Sequence, residues 1–110
     1  MKNHPTHQQL AKIPKLHKND HIQMKDKIIH LHFTFPKCDW YIAEFDGKDM
    51  FFGFVILNND LLAADWGYIS FEFLKIVDIA GKQIELDLDW KPQKASDVQR
   101  ICQAQRWDVT

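Results

Sequence analysis

Several features that mark other classes of protein are scarce or missing in this 110-residue sequence. The two cysteines, Cys38 and Cys102, lie far apart and form no CxxC pair, so we expect free thiols rather than a disulfide framework. Four glycines and four prolines are too few for a low-complexity chain. The longest apolar run, 51–57, is far shorter than the roughly 20 residues of a membrane-spanning helix. The polar N-terminus lacks a secretory signal core, so we expect a cytoplasmic protein that makes no contact with membranes.

The net charge of −1 conceals an uneven distribution of charge along the chain. Positions 1–37 contain seven lysines and two acids, a net of +5, and positions 91–110 carry a net of +2. The segment between them, 38–90, contains three lysines and eleven acids, a net of −8. Because acids repel phosphate, any contact with nucleic acid is expected at the basic ends and not in the acidic centre.

The apolar pattern predicts an α+β domain with a small, mostly antiparallel sheet of four or five strands and two or three short helices packed on it. Residues 1–27 are expected to form a basic leader with a short helix at about 7–12, because Thr6-His7-Gln8-Gln9 has the spacing of a capping box. A single α+β domain is expected over 28–110. A second capping box, Ser96-x-x-Gln99, predicts that this domain ends in a helix at about 97–105.

Alternation of apolar and polar residues predicts the first and last strands, a high content of Trp, Tyr and Ile predicts the second, and a run that is apolar on both faces predicts a central third strand. The strands are expected at 28–35, 38–45, 50–57, 67–69 and 83–90, with a hairpin turn at Asp46-Gly47-Lys48-Asp49. Ser70 is expected to cap a short helix that runs through Leu74. In the first strand the buried face is predicted to carry Ile29, Leu31, Phe33 and Phe35, and in the last strand Ile84, Leu86, Leu88 and Trp90.

Acidic residues on two of the predicted strands are the main candidates for chemistry. Glu44 lies on one strand and Glu85 and Asp87 on another, and carboxylates from neighbouring strands can bind a divalent metal or share a proton. No nucleophile motif, phosphate-binding loop or paired histidine accompanies them. His30 and His32 share a strand face, but two imidazoles do not make a metal site. The sequence therefore predicts no metal and no cofactor and favours a protein without enzymatic activity.

Four aromatic motifs in a fixed order carry a family resemblance. The chain resembles domain-of-unknown-function family 2958, small proteins of bacteria, plasmids and phages, over roughly residues 10–98. The residues that carry the likeness are Trp40-Tyr41-x-x-Glu44-Phe45-Asp46, Phe51-Phe52-Gly53-Phe54-Val55, Trp66-Gly67-Tyr68-Ile69-Ser70 and Glu85-x-Asp87-Leu88-x-Trp90-Lys91-Pro92, after the leader Leu10-x-x-Ile13-Pro14-x-Leu16. The resemblance implies a role in mobile-element biology, and it transfers no activity, cofactor or catalytic residue.

One motif departs from the family pattern. Relatives often have Glu-Arg-Asp followed by Leu and two aromatics, whereas this chain has Glu85-Leu86-Asp87-Leu88-Asp89-Trp90. Loss of the arginine removes a partner for a motif acid, which weakens the case for a shared active site.

An acidic, aromatic centre without catalytic groups favours a binding module. The leading hypothesis is a non-enzymatic, mobile-element-associated interaction domain that binds a protein partner. Its predicted surface consists of Trp40, Tyr41, Glu44, Trp66, Tyr68, Glu85, Asp87 and Lys91. The alternative is a nucleic-acid-binding accessory protein of a plasmid or phage that uses the basic ends. A divalent-metal hydrolase built on Glu44, Glu85 and Asp87 is the third hypothesis.

Overall fold

A five-stranded antiparallel sheet with short helices forms the centre of the protein, which confirms the predicted α+β class. The computed structural model describes residues 1–107, so the last three positions of the predicted domain lie outside the described residues. The helices are α1 (His7–Ala11), α2 (Phe71–Ile76) and α3 (Gln99–Gln105), with 3-10 turns at Met24–Asp26 and Ala95–Asp97. The strands are β1 (Ile28–Ile29), β2 (Leu31–Phe35), β3 (Cys38–Phe45), β4 (Met50–Ile56), β5 (Asp65–Ser70), β6 (Asp78–Ile79), β7 (Lys82–Gln83), β8 (Glu85–Leu86) and β9 (Gln93–Lys94).

The strand order of the sheet is β5-β4-β3-β2-β8, and every neighbouring pair is antiparallel. Two short pairs, β1 with β9 and β6 with β7, lie outside this sheet. No helix within residues 1–107 is long and apolar enough to cross a membrane.

Local signals in the sequence account for the helix starts and the hairpin. The Thr6 hydroxyl accepts a hydrogen bond from the Gln9 amide, and the Gln9 side chain accepts one from the Thr6 amide, as predicted. Ser70 caps α2 by accepting from the Phe73 amide. In the hairpin turn, Gly47 has a φ of 87°, and one carboxylate oxygen of Asp46 accepts hydrogen bonds from three following amides.

The sheet has an apolar core on each face. Because successive side chains of a strand point to opposite faces, β4 contributes Phe51 to one core and Phe54 to the other. Helix α2 adds Phe71 and Leu74 to the first core. The segment that ends in α3 adds Ala95, Val98 and Ile101 to the second. Apolar side chains are thus packed on both faces of the sheet, and any further strand pairing is confined to its edges.

The first predicted strand is interrupted at His30. Residue Ile29 belongs to β1, which pairs with β9 and packs into the second core, whereas Leu31 belongs to β2 and packs into the first. The prediction that these two side chains share a face was wrong. The His30 amide donates to the Ile42 carbonyl oxygen at 2.8 Å, so pairing with β3 continues while the side-chain alternation is reset.

The last predicted strand is much shorter than 83–90. Only Glu85 and Leu86 pair with β2, and the chain then turns at Asp87. The Asp87 carbonyl accepts from the Trp90 amide, and its carboxylate accepts from the Asp89 amide. This turn leaves Leu88 69% exposed, so the prediction that Leu88 is buried was wrong.

The C-terminal helix begins later than predicted. A 3-10 turn at Ala95–Asp97 precedes α3, whose N-cap is Val98 without a side-chain hydrogen bond, so Ser96 does not cap this helix. The predicted packing is confirmed, since Val98 and Ile101 are buried against the sheet.

The basic leader is packed against the domain. Ile13 is buried in the first core, and the Pro14 carbonyl accepts from the Phe45 amide at 2.9 Å. Lys2 lies alongside β8. Its amide donates to the Ile84 carbonyl oxygen, and its carbonyl oxygen accepts from the Leu86 amide. The N-terminal residues therefore cover the β8 edge of the sheet.

Candidate functional site

Three of the eight predicted residues, Glu44, Trp66 and Tyr68, come together around Phe52. Glu44, Phe52 and Tyr68 lie opposite one another on β3, β4 and β5. The Phe52 ring stacks on Trp66, with centroids 5.8 Å and planes 15° apart, and its centroid lies 5.4 Å from that of Tyr68. Tyr68 is 57% exposed. We call Phe52, Trp66 and Tyr68 the aromatic edge.

The sequence of β5 explains how these rings are held. Trp66 and Tyr68 are two residues apart and therefore share a face of the strand. The Trp66 indole nitrogen donates to the Gln105 side chain of α3 at 3.2 Å, which fixes this ring, whereas no side-chain hydrogen bond from another described residue holds the ring of Tyr68. A Cβ added to the intervening Gly67 would meet nothing within 4 Å. The face of β5 that carries Trp66 and Tyr68 therefore has one fixed ring and one exposed ring, and the opposite face is open at Gly67.

Within residues 1–107, the backbone of β5 pairs on one side only, with β4. The Phe71 amide, just beyond the strand, donates to the Asp49 carbonyl oxygen on the β4 side at 2.8 Å. The Trp66 amide donates to the carboxylate of its neighbour Asp65 at 2.7 Å. Successive residues of an antiparallel strand direct their N–H groups to opposite sides. Because the Phe71 N–H points toward β4, the N–H groups of Tyr68 and Trp66 point away from it. No acceptor within residues 1–107 meets the Tyr68 amide.

Two shallow depressions adjoin this edge. One, of about 290 Å³, is lined by His17, Asp20, Phe52 and Tyr68 and has an ion pair at its base. The other, of about 360 Å³, lies at the start of β5 and is lined by Leu57, Asp60, Asp65 and Gly67. Side chains of a bound segment would find space at both places.

The ion pair below the first depression holds the leader on the sheet. The Lys27 ammonium lies 3.1 Å from Glu44 Oε2, and both side chains are 5% exposed. Lys27 also donates to the Asn19 carbonyl, and the other oxygen of Glu44 accepts from the His17 amide at 3.1 Å. With both of its oxygens occupied, Glu44 supports the depression and is not itself a free ligand.

A second group of predicted residues, Tyr41 and Asp87, meets at His32. The imidazole Nδ1 lies 2.9 Å from Asp87 Oδ2, and Nε2 lies 2.8 Å from Asp39 Oδ1. The ring stacks on Tyr41, with centroids 4.4 Å and planes 5° apart. Both ring nitrogens are engaged by carboxylates, so neither is free to accept a proton from a substrate. We call His32, Asp39 and Asp87 the histidine bridge.

The bridge is tied to the C-terminal helix and alters the acidity of Tyr41. Arg100 Nε lies 3.4 Å from Asp39 Oδ2, and another guanidinium nitrogen donates to Asn59 at 2.9 Å. Burial, and then the negative charge of Asp39, raises the pKa of Tyr41 to about 12, against the opposing effect of Arg100. The Tyr41 phenol therefore keeps its proton to a higher pH than a free tyrosine does.

Sequence reasoning missed the histidine bridge because its members are far apart in the chain. His32 was weighed only as a metal ligand beside His30, and Asp39 was not singled out. Asp39 and Tyr41 alternate on one face of β3, and this spacing beside a strand histidine was the available signal.

The remaining predicted residues lie elsewhere. Trp40 is buried on the opposite face of the sheet, at an apolar groove of about 530 Å³ beside the exposed side chains of Phe73 and Ile76. Glu85 forms an exposed ion pair with Lys2 at 3.4 Å. Lys91 is exposed after the turn that follows β8. The eight residues therefore do not form one continuous surface.

No group of three or more His, Cys, Asp or Glu side chains within residues 1–107 is placed to hold a metal ion. Glu44, Glu85 and Asp87 each bond a different cationic or imidazole side chain. The convergence that a metal hydrolase would require of these three carboxylates does not occur.

Comparison of the chain with protein-family profiles, with curated proteins and with solved structures finds no match. The inference of function therefore rests on the residues and their geometry.

Proposed function

We propose that the protein is a non-enzymatic interaction module that binds a protein partner at the aromatic edge. The observation that carries the proposal is the asymmetry of the sheet. The β8 edge is covered by Lys2 of the same chain, whereas no part of the chain described by the structure covers the outward backbone of β5 or the exposed ring of Tyr68. Unpaired strand edges are templates for another chain, and Tyr and Trp are enriched at the centres of protein interfaces.

The state of the polar clusters supports binding rather than catalysis. A general acid or base needs an atom that can reach the substrate. In the histidine bridge both imidazole nitrogens are occupied, and in the buried ion pair both oxygens of Glu44 are occupied. These groups stabilise the fold and leave the aromatic edge as the exposed chemistry of the acidic centre.

The proposal extends to family and setting. We propose on the likeness of its motifs that the chain belongs to domain-of-unknown-function family 2958; one of these motifs, Trp66-Gly67-Tyr68-Ile69-Ser70, lies in β5 and includes its exposed ring. The resemblance implies a protein of a bacterial mobile element with a partner from the host or from the element itself, and the polar N-terminus favours a cytoplasmic location.

Nucleic-acid binding through the basic ends is the competing function. Two of the leader lysines are already used within the fold, Lys27 in the buried ion pair and Lys2 with Glu85. Acids also border the aromatic edge, and they would repel a phosphate backbone. These contacts favour a protein partner at this surface.

Position-specific photocrosslinking tests the proposal. The photoreactive residue p-benzoylphenylalanine replaces Tyr68 in one variant and Leu88, an exposed residue of the turn beyond β8, in a matched control. Irradiation of cells that naturally carry the protein is expected to give a discrete protein adduct from position 68 and none from position 88. Equal adducts from both positions, no adduct from position 68, or an adduct that nuclease removes would each refute the proposal.

A further inference from the structure

We infer that the partner binds by adding a strand to β5, and that the added segment is extended and carries Lys or Arg at alternate positions. This inference rests on the proposed function and deepens it, since it names both the mode of binding and the chemistry of the partner. In strand addition, backbone hydrogen bonds supply affinity, and side chains that enter flanking pockets supply specificity.

The backbone of β5 is suited to this mode. Tyr68 directs its N–H outward, and because the two groups of one residue in an antiparallel strand point to the same side, its carbonyl points outward too. The outward N–H of Trp66 is bonded by Asp65, which limits pairing at the start of the strand. The centre of an added strand is therefore expected opposite Tyr68.

The negative charges beside β5 favour a basic partner segment. Asp60 and Asp65 are exposed beside the second depression, and their carboxylates accept only backbone amides, those of Ala63 and Trp66. No cationic side chain within residues 1–107 forms an ion pair with either acid. A Lys or Arg side chain of the partner could therefore form an ion pair with either carboxylate without displacing a cationic side chain of the described residues.

The same charges disfavour a second copy of this chain as the occupant. Pairing β5 with its own copy would bring the unpaired acids of two acidic edges into one interface, and like charges across an interface are unfavourable. Side chains on one face of a strand recur every second residue, so a partner with basic residues at alternate positions places its charge on a single face.

Selection from a random twelve-residue peptide display library on the full-length protein tests the inference. We expect recovered peptides to carry Lys or Arg at alternating positions and to protect the Tyr68 amide from hydrogen exchange. Tyr68→Pro removes the outward N–H, whereas Tyr68→Ala removes only the ring, so the proline variant is expected to bind about tenfold more weakly than the alanine variant. Methylation of alternate backbone nitrogens in a recovered peptide tests the same bonds without altering the protein.

A charge-matched pair of variants tests the choice of partner. Asp60→Asn with Asp65→Asn is expected to weaken peptide binding about tenfold at low salt, and less at high salt. The control, Asp89→Asn with Asp97→Asn, removes two exposed acids distant in sequence from β5 and is expected to bind like the unchanged protein.

Several results would overturn the inference. They are peptides without alternating basic residues, binding that tolerates backbone methylation, no recovery above background, and a protein that is already dimeric through β5. If the crosslink from position 68 is nevertheless obtained, a protein partner is retained and strand addition alone is rejected. If that crosslink is absent, the proposed function itself fails.

Discussion

Removal of one charge from the buried ion pair gives a sharp prediction about stability. In Glu44→Gln the amide oxygen can still accept from the His17 amide, and the side-chain NH2 then faces the Lys27 ammonium, so the change removes both the negative charge and the acceptor that Lys27 uses. Lys27 keeps its hydrogen bond to the Asn19 carbonyl but is left as a buried ammonium without a counter-ion. The leader is then held on the sheet by fewer and weaker contacts.

The expected loss is about 3 kcal/mol in the free energy of unfolding. Breaking a buried ion pair by removing one partner costs roughly 3 to 5 kcal/mol, and the lower value applies because the Asn19 bond survives. For a chain of this length that loss lowers the melting temperature by about 12 °C. Adding Lys27→Met to Glu44→Gln removes the unpaired charge and is expected to recover about half of the loss.

Urea unfolding followed by tryptophan fluorescence measures this effect. The matched control is Glu85→Gln, the same substitution in the exposed pair with Lys2, which is expected to change stability by less than about 0.5 kcal/mol. If the two single variants lie within about 0.5 kcal/mol of one another, or if the double variant is no more stable than Glu44→Gln, the structural role given to the buried pair is refuted.

Three further predictions concern the interior of the sheet. A Cβ at Gly53 would overlap the Tyr41 carbonyl oxygen, so Gly53→Ala is expected to lower the free energy of unfolding by at least about 3 kcal/mol or to abolish soluble expression. In Gly67→Ala the new Cβ would enter open space, so the loss measured by urea unfolding should be under about 1 kcal/mol. Because the pKa of Tyr41 is raised from 10.0 to about 12, the folded state holds this proton more tightly than the unfolded chain does. Stability should therefore fall as pH rises from 10 to 12, and an equal fall in the stability of a Tyr41→Phe variant would contradict this. His32→Phe leaves Asp39 and Asp87 without their shared imidazole and is expected to lower the free energy of unfolding by about 2 kcal/mol. If calorimetry finds the same melting temperature for the variant and the unchanged protein, the histidine bridge does not stabilise the fold.

Features governed by local chemistry could be predicted from the sequence. The capping boxes, the Asp-Gly turn and the apolar composition of β3 and β4 depend on neighbours within a few residues, and the structure contains the Thr6 cap, the hairpin and both strands. The second capping box shows the limit of such signals, because Ser96 lies in a 3-10 turn that packs against the sheet and its helix starts later. There, tertiary packing decided where the helix begins.

The errors at the sheet margins have one physical cause, which is the competition of long-range pairing with local alternation. Leu88 fits the period of a strand, but Asp87 bonds the distant His32 and its own following amide, and the chain turns. Ile29 fits the first strand, but β1 pairs with β9 some sixty residues away. Neither contact leaves a signal in the neighbouring residues.

The candidate site was predicted in part. Trp66, Tyr68 and Glu44 were singled out, and the structure brings them together at the aromatic edge and the depression beside it. Their composition identified them, but the strand order that makes β5 an outer strand was not readable from the sequence. For the same reason, Trp40 was grouped with them although it faces the opposite core.

Amide hydrogen exchange of the isolated protein tests the central claim, an open β5 edge, most directly. The amides of Gly67 and Ile69, which point toward β4, are expected to be protected, and the amide of Tyr68 is expected to exchange nearly as fast as in an unfolded chain. A Tyr68 amide protected as strongly as that of Ile69 would mean that the edge is already covered, and would contradict the account.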